Sequence, residues 1–321
     1  MRILRTFQSV ATRFQYSKYK VLRLPSVVIP VVDPLLNLIK GDKKSYSTSS
    51  DDIRSSMSYL SWALFFLSAT IRQFYTYIFP ANRCRLEREK LVKLRKESGG
   101  VAKKRTEDYL VSVIIPTYNR ADLLVNRAIP SILNQTHRKL EIIIIGDHCT
   151  DDTEENVKRI LDGRIQFINL SNRGIYPKNK TWRWQVAGTK PVNIGLDLAT
   201  GDWIAHLDDD DEFSPDHIEA LLRFALENDY EMTYGIMERE TFNGKWELVG
   251  CPNLGIGTHM RSSVLCINYL KFFKWDVDSW KLNEPGDGNV WKRMRLSCVR
   301  IGFIPRVIGR CYFSRRGPDQ K

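Results

Sequence analysis

Residues 203–213 read WIAHLDDDDEF, an apolar run closed by four consecutive carboxylates, Asp208 to Asp211. Two unit charges about 4 Å apart repel by roughly 4 kcal/mol at an effective dielectric near 20. Neighbouring aspartates therefore need water, basic groups or a bound cation to stay ionised. The run before them, Trp203 to Leu207, has the length and composition of a strand covered on both faces. The charge cluster thus stands at the carboxyl end of a strand.

The same arrangement occurs twice upstream. Val111 to Ile115 is followed by PTYNR (116–120), and Ile142 to Ile145 by GDHCTDDT (146–153). Ile165 to Ile168 and Met232 to Ile236 are further strand candidates. Helical patterns fill the gaps at Leu123 to Leu133, Thr153 to Leu161, Val192 to Ala199 and Pro215 to Leu226. The last has Ser214 placed as N-cap and Pro215 in its first turn. Alternating strands and helices imply an α/β domain with a mostly parallel sheet flanked by helices. In such sheets ligands gather at the carboxyl ends of the strands. No internal repeat is visible.

Three segments in order, VSVIIPTYNRADLL, SILNQTHRKLEIIIIGDHCTDDT and PVNIGLDLATGDWIAHLDDDDEFSPDHIEAL, resemble glycosyltransferase family 2, the inverting nucleotide-sugar enzymes of GT-A fold. The resemblance runs from about residue 110 to about 313. It implies that Asp147 accepts a hydrogen bond from the nucleotide base, commonly uracil. An ionised carboxylate only accepts, which suits an imide N–H. Pro116 and Tyr118 would lie against the base, where stacking contributes about 1 to 3 kcal/mol, and Arg120 would approach a phosphate. Asn193 and Gly195 match the segment before the acidic strand, although the family's arginine there is absent; Lys190 or Arg183 could substitute. Asp208 and Asp210 fall on the family's D-x-D positions and would bind Mn²⁺ or Mg²⁺ with the diphosphate. Magnesium commonly takes one or two carboxylates plus phosphate oxygens. Asp209 or Asp211 would then face the donor or water.

Near the C-terminus, EPGDGNVWKRM (284–294) resembles the element that carries the catalytic base. Asp287 is the implied base, with Glu284 its substitute, while Trp291 and Arg293 match the family. Departures are Gly146, Gly286 and Asn289, each standing where the family has an acid. GTHMRSS (257–263) falls where acceptor-facing loops lie, with His259 either lining that pocket or an ordinary loop histidine. His206, inside a strand, is expected to be packed. Trp182 and Trp184, in an aromatic and basic segment (176–188), receive no role.

The remaining sequence bounds the partners. Residues 1–107 hold 21 Lys/Arg against 8 Asp/Glu, a balance of +13, and residues 108–321 hold 28 against 29. The net charge of +12 therefore belongs to a basic N-terminal extension, and the 108–321 domain is not a polycation. Nucleic acid is accordingly not an expected partner. The first 32 residues lack acids and fit a transit peptide or a surface-seeking helix equally; residues 41–56 are a polar linker. Ser55 to Ile71 is 17 residues without a charge, borderline for a span that needs about 20. A hydrophobic or amphipathic helix over about 57–79, followed by a basic collar from Arg83 to Arg105, suits a membrane surface with the C-terminal domain in the cytoplasm. A helix packed on the protein's own surface is the other reading. The six cysteines show no metal or disulfide spacing and are expected as thiols. The expected partners are a nucleotide-sugar donor, a glycan, lipid or other hydroxyl acceptor, and a membrane surface. A nucleotidyltransferase of similar fold, or a non-catalytic basic protein, is the alternative.

Overall fold

A computed structural model describes residues 82–98, 105–254 and 258–313. The first 32 residues, the 41–56 segment, the 57–79 segment and part of the basic collar lie outside these residues. No helix among the described residues is long and apolar enough to cross a membrane.

Val111–Thr117 (β1) is buried at all seven positions, and its β-branched residues suit a pleated surface covered on both sides. It lies parallel to Leu140–Gly146 (β2), with Val111 opposite Leu140 and Thr117 opposite Gly146. Trp203–His206 (β4) flanks it in parallel on the other side, and Ile165–Asn169 (β3) extends β2. These four strands all point one way, so the polar segments at 116–120, 146–153 and 208–211 meet on one sheet edge. From β4 onward the sheet is mixed. Val264–Ile267 (β8) runs antiparallel to β4 and to Met232–Glu240 (β6). Ile301–Cys311 (β9) runs parallel to β6, while Glu212–Phe213 (β5) and Trp246–Val249 (β7) add antiparallel pairs. The strand order is β3-β2-β1-β4-β8-β6-β9-β5, with β7 on β6.

Helices connect the parallel strands. Residues 82–97 form α1. The stretch after β1 (α2) comprises Ala121–Leu123, a π-helical Leu124–Ala128 and Ile129–Leu133. Then follow Thr153–Lys158 (α3), Lys180–Val186 (α4), Thr189–Leu198 (α5), His217–Glu227 (α6) and Gly286–Leu296 (α7). Helix α5 approaches β1 so closely that a Cβ at Gly195 would stand 2.5 Å from Ile114 Cγ2. Only glycine permits that contact. Helix α6 starts two residues later than expected and has no side-chain cap. Ser214 is instead held by β9, donating its N–H to the Ile308 carbonyl at 3.0 Å.

Helix α1 lies before the boundary expected at residue 107, yet it packs with the α/β domain. Leu91 is fully buried in the shared core. Three ion pairs fix the helix: Arg83 to Asp276 at 2.5 Å, Arg95 to both oxygens of buried Glu231, and Glu87 to Arg293 at 2.6 Å. Arg293 sits on α7 and is buried, so its charge depends on Glu87 for compensation. Stranding one partner of a buried pair costs about 3 to 5 kcal/mol. Glu87→Ala is therefore expected to lower unfolding free energy by about 3 kcal/mol in a urea titration; a change below about 1 kcal/mol would mean that α1 does not hold α7. The six cysteines are all free.

Candidate active site

A cavity of about 970 Å³ opens on the sheet edge where the polar segments converge. Of the residues expected to bind nucleotide or metal, Pro116, Tyr118, Arg120, Asp147, Asp209 and Asp210 line it.

The loops after β1 and β2 build one end. Asn119 adopts a left-handed φ of 51° and His148 one of 64°, turning both chains sharply at the strand ends. Asn119 Oδ1 accepts the Thr150 N–H at 2.8 Å, tying the loops together. Gly146, where the family has an acid, is explained by its neighbour: a Cβ there would stand 2.7 Å from Asn169 Oδ1. That oxygen accepts the Cys149 N–H at 2.8 Å and holds the turn that presents Asp147. Asp147 is almost fully buried; its oxygens accept the Gly174 N–H at 2.9 Å and the Tyr176 hydroxyl at 2.7 Å. Burial and the Asp147 charge push the Tyr176 phenol well above its usual pKa. Arg173 lies 3.5 Å over the Tyr118 ring and 3.8 Å from Asp147. Arg173 and Tyr176 stand beside Asp147 without having been anticipated.

The four aspartates part company. Asp210 pairs with Arg120, which also reaches Asp209 at 3.1 Å. Arg127 donates to the Asp210 carbonyl at 2.7 Å. Asp208 pairs with Arg261. Asp211 turns inward, so the expectation that it could face sugar or water does not hold for it. It accepts from the Ser262 hydroxyl at 2.7 Å, the Cys311 thiol at 2.9 Å and the Tyr312 N–H at 3.2 Å. Ser262 also accepts the Asp208 N–H at 3.1 Å, so one hydroxyl locks both ends of the tetrad. Burial, followed by the Asp210 charge, raises the Asp211 pKa. Burial likewise raises that of Asp209, with Arg120 opposing. Arginines thus compensate three of the carboxylates, and three hydrogen-bond donors partly offset the burial of the fourth.

Arg261 connects this cluster to the expected base. Its guanidinium is buried, which lowers its pKa to about 10, and the chief opposing influence is the charge of Asp287. Asp287 lies in the first turn of α7, half-buried, its Oδ1 accepting the Gly288 N–H at 2.6 Å. Glu284 is otherwise engaged: it accepts from Asn289 at 2.8 Å and Lys292 at 2.5 Å. Asn193 is taken up by the backbone of Trp275, donating to its carbonyl and accepting from its N–H, both at 2.9 Å. Lys190 donates to the Asn172 carbonyl at 2.6 Å, whereas Arg183 lines the cavity while bonding the Pro177 and Lys178 carbonyls. His206 lies between Trp275 and Trp291, at 5.8 and 6.1 Å, and burial lowers its pKa to about 3. His259 is buried beside Tyr234.

Among the described residues no three His, Cys, Asp or Glu side chains group as a metal site. The donor set nevertheless fits a hard divalent cation. Asp208 and Asp210 offer only carboxylate oxygens, and the adjoining cavity leaves room for phosphate oxygens, the usual company of Mg²⁺.

Comparison with known proteins places this geometry. The family model described as Glycosyl transferase family 2 matches residues 112–250. A Campylobacter jejuni protein named GalNAc(5)-diNAcBac-PP-undecaprenol beta-1,3-glucosyltransferase is 35% identical over 144 residues, covering 42% of each chain. The Escherichia coli UDP-Glc:alpha-D-GlcNAc-diphosphoundecaprenol beta-1,3-glucosyltransferase WfgD is 34% identical over 132 residues, covering 41% of this chain and 47% of its own. The match spans from 20% to 47% of the lengths of such curated relatives. The solved structure of S. aureus TarS 1–349 in complex with UDP-GlcNAc superposes with a TM-score of 0.50 at 17% identity, covering 65% of this chain and 60% of that one. That likeness is one of fold, and the fold is GT-A. Residues 112–250, which carry most of the motifs around the cavity, are thus similar to glycosyl transferase family 2.

Proposed function

We propose that this protein is an inverting glycosyltransferase that moves a sugar from a nucleoside diphosphate, UDP foremost, to a hydroxyl of a polyprenol-linked glycan. The observation that carries this reading is the convergence of Tyr118, Asp147, Arg120 and Asp210 on one 970 Å³ cavity. Two relatives whose names specify undecaprenol-linked acceptors support the acceptor class.

In this reading Tyr118 stacks on the base and Asp147 accepts its imide N–H in exchange for the Tyr176 hydroxyl. Asp208 and Asp210 hold Mn²⁺ or Mg²⁺, which supplies Lewis-acid compensation for diphosphate charge. Arg120 and Arg261 add positive charge along the same wall. Inversion is a single displacement: the acceptor oxygen bonds to the anomeric carbon as the bond to the diphosphate oxygen breaks, and the hydroxyl proton passes to Asp287. Asp209 orients the donor through Arg120, while Asn193 acts through Trp275 as a positioning residue. The basic N-terminal extension keeps the enzyme at a membrane surface on the cytoplasmic side.

A donor screen tests the reading. UDP-, GDP- and dTDP-sugars are incubated with Mn²⁺ and the released nucleotide is identified. UDP release is expected; formation of UTP and sugar 1-phosphate only when pyrophosphate is added would instead establish a nucleotidyltransferase.

A further inference from the structure

Helix α4 carries two partly exposed tryptophans, Trp182 turned onto Trp280 and Trp184, two residues further on and about 200° around the axis, at the cavity. Of its seven residues only Val186 is buried, while Trp184 is 73% and Trp182 45% exposed. A tryptophan carries about 150 to 250 Å² that a fold ordinarily buries. The rings are nonetheless held in place. The Asn179 side chain caps the helix through the Trp182 N–H at 3.1 Å. Trp182 stacks on Trp280 of the turn Ser279–Leu282, centroids 5.0 Å apart, and Gln185 donates to Asn283 at 3.0 Å. Val277 and Leu282, flanking Trp280 in the chain, are also exposed. Lys178 and Lys180 stand exposed and α4 contains no acid, whereas Lys281 pairs with Asp278 at 2.9 Å. Lys180, Arg183 and Trp184 line the cavity, so this patch is its rim.

We propose that this rim is a membrane-docking face for an anionic bilayer, with Trp184 and the free edges of Trp182 and Trp280 at headgroup depth and Lys178 and Lys180 among lipid phosphates. Indole rings favour the interfacial zone, and cations near the surface are drawn to anionic lipid. A neutral glycan fits less well, because Trp280 already covers one face of Trp182, and Lys178, Lys180 and the aliphatic side chains would have no counterpart. Docking here turns the mouth of the cavity toward the surface from which a lipid-linked acceptor is presented. Only that last consequence rests on the proposed function; docking needs no donor and no transfer.

The full chain carrying W62F, which removes the single tryptophan of the N-terminal extension, is mixed with phosphatidylcholine vesicles, with and without phosphatidylglycerol, whose acyl chains carry bromine to quench nearby tryptophan. Quenching is expected with the anionic vesicles alone and should be largely lost when W182F/W184F/W280F is added, which keeps aromatic rings; its thermal midpoint serves as the fold control. K178Q/K180Q should weaken partitioning by about tenfold. Equal quenching of W62F and W62F/W182F/W184F/W280F would overturn the proposal by placing the contact elsewhere on the chain. So would the absence of quenching, or protection of the rings by a soluble oligosaccharide in place of vesicles. Failure of the sugar-transfer reading would appear in the vesicle-free donor screen instead.

Discussion

Asp210→Ala is expected to lower sugar transfer at least about a hundredfold and to flatten its dependence on Mn²⁺. The carboxylate lines the cavity and is held by Arg120, while Arg127 fixes its backbone carbonyl. The position is therefore fixed before any donor arrives, and such preorganisation makes a charged group effective against developing charge. Because alanine also releases Arg120, Asp210→Asn is the companion variant: it keeps a hydrogen-bond acceptor for the guanidinium and removes the charge. Both are expected to fail alike, with thermal midpoints near wild type. Nucleotide release measured across Mn²⁺ concentrations decides the matter. If Asp210→Ala kept activity within about fivefold and the same Mn²⁺ midpoint, the cation would have to be held elsewhere.

The second large effect concerns the proton. Asp287→Asn preserves shape and the hydrogen bond from Gly288, but an amide cannot accept the acceptor's proton. The loss expected is about 10² to 10⁴ in kcat, the usual span for general-base catalysis. Donor KM should stay within about threefold, since a group acting only in the transition state contributes little to ground-state binding. Glu284→Gln is the contrasting variant. Glu284 is buried against Asn289 and Lys292, so its removal should cost stability and leave the kcat-to-KM pattern alone. A full kcat in Asp287→Asn would assign the base to another residue.

Much of this site was legible in one dimension because strands on a parallel sheet deliver whatever follows them to a common edge. PTYNR, GDHCTDDT and the aspartate tetrad each follow a buried run, and that grammar alone brought Tyr118, Asp147 and Asp210 together. Residues contributed by distant turns were not legible. Arg261 lies 51 residues beyond Asp210 in GTHMRSS, where His259 drew the attention, and only β8 pairing with β4 carries it to Asp208. Arg173 and Tyr176 follow β3, whose polar tail lacks any acidic or Gly-rich signature. Asn193 matched its motif yet spends its amide on Trp275. A motif position does not reveal which neighbour will claim the side chain.

The N-terminal boundary shows the same limit. Charge counting assigned residues 82–97 to a basic extension, because Arg83, Arg85, Arg88, Lys90, Lys93, Arg95 and Lys96 dominate the segment. In the structure, two of those arginines and Glu87 are matched to Asp276, Glu231 and Arg293 at sequence separations of 136 to 206 residues. Composition sums charge along the chain, whereas burial depends on where opposite charge stands in space.

Period and order along the chain were sufficient for the class of fold and the sheet edge that carries chemistry. These depend on local alternation of apolar runs, which backbone geometry converts into strands and helices without reference to distant residues. Tertiary structure alone decided that Asp211 is buried and structural while Asp210 faces the cavity, that Arg261 lies between the acid cluster and Asp287, and that α1 clamps the helix bearing Asp287. Each of these turns on which donors reach a given carboxylate, and those donors come from chain segments that only folding makes neighbours.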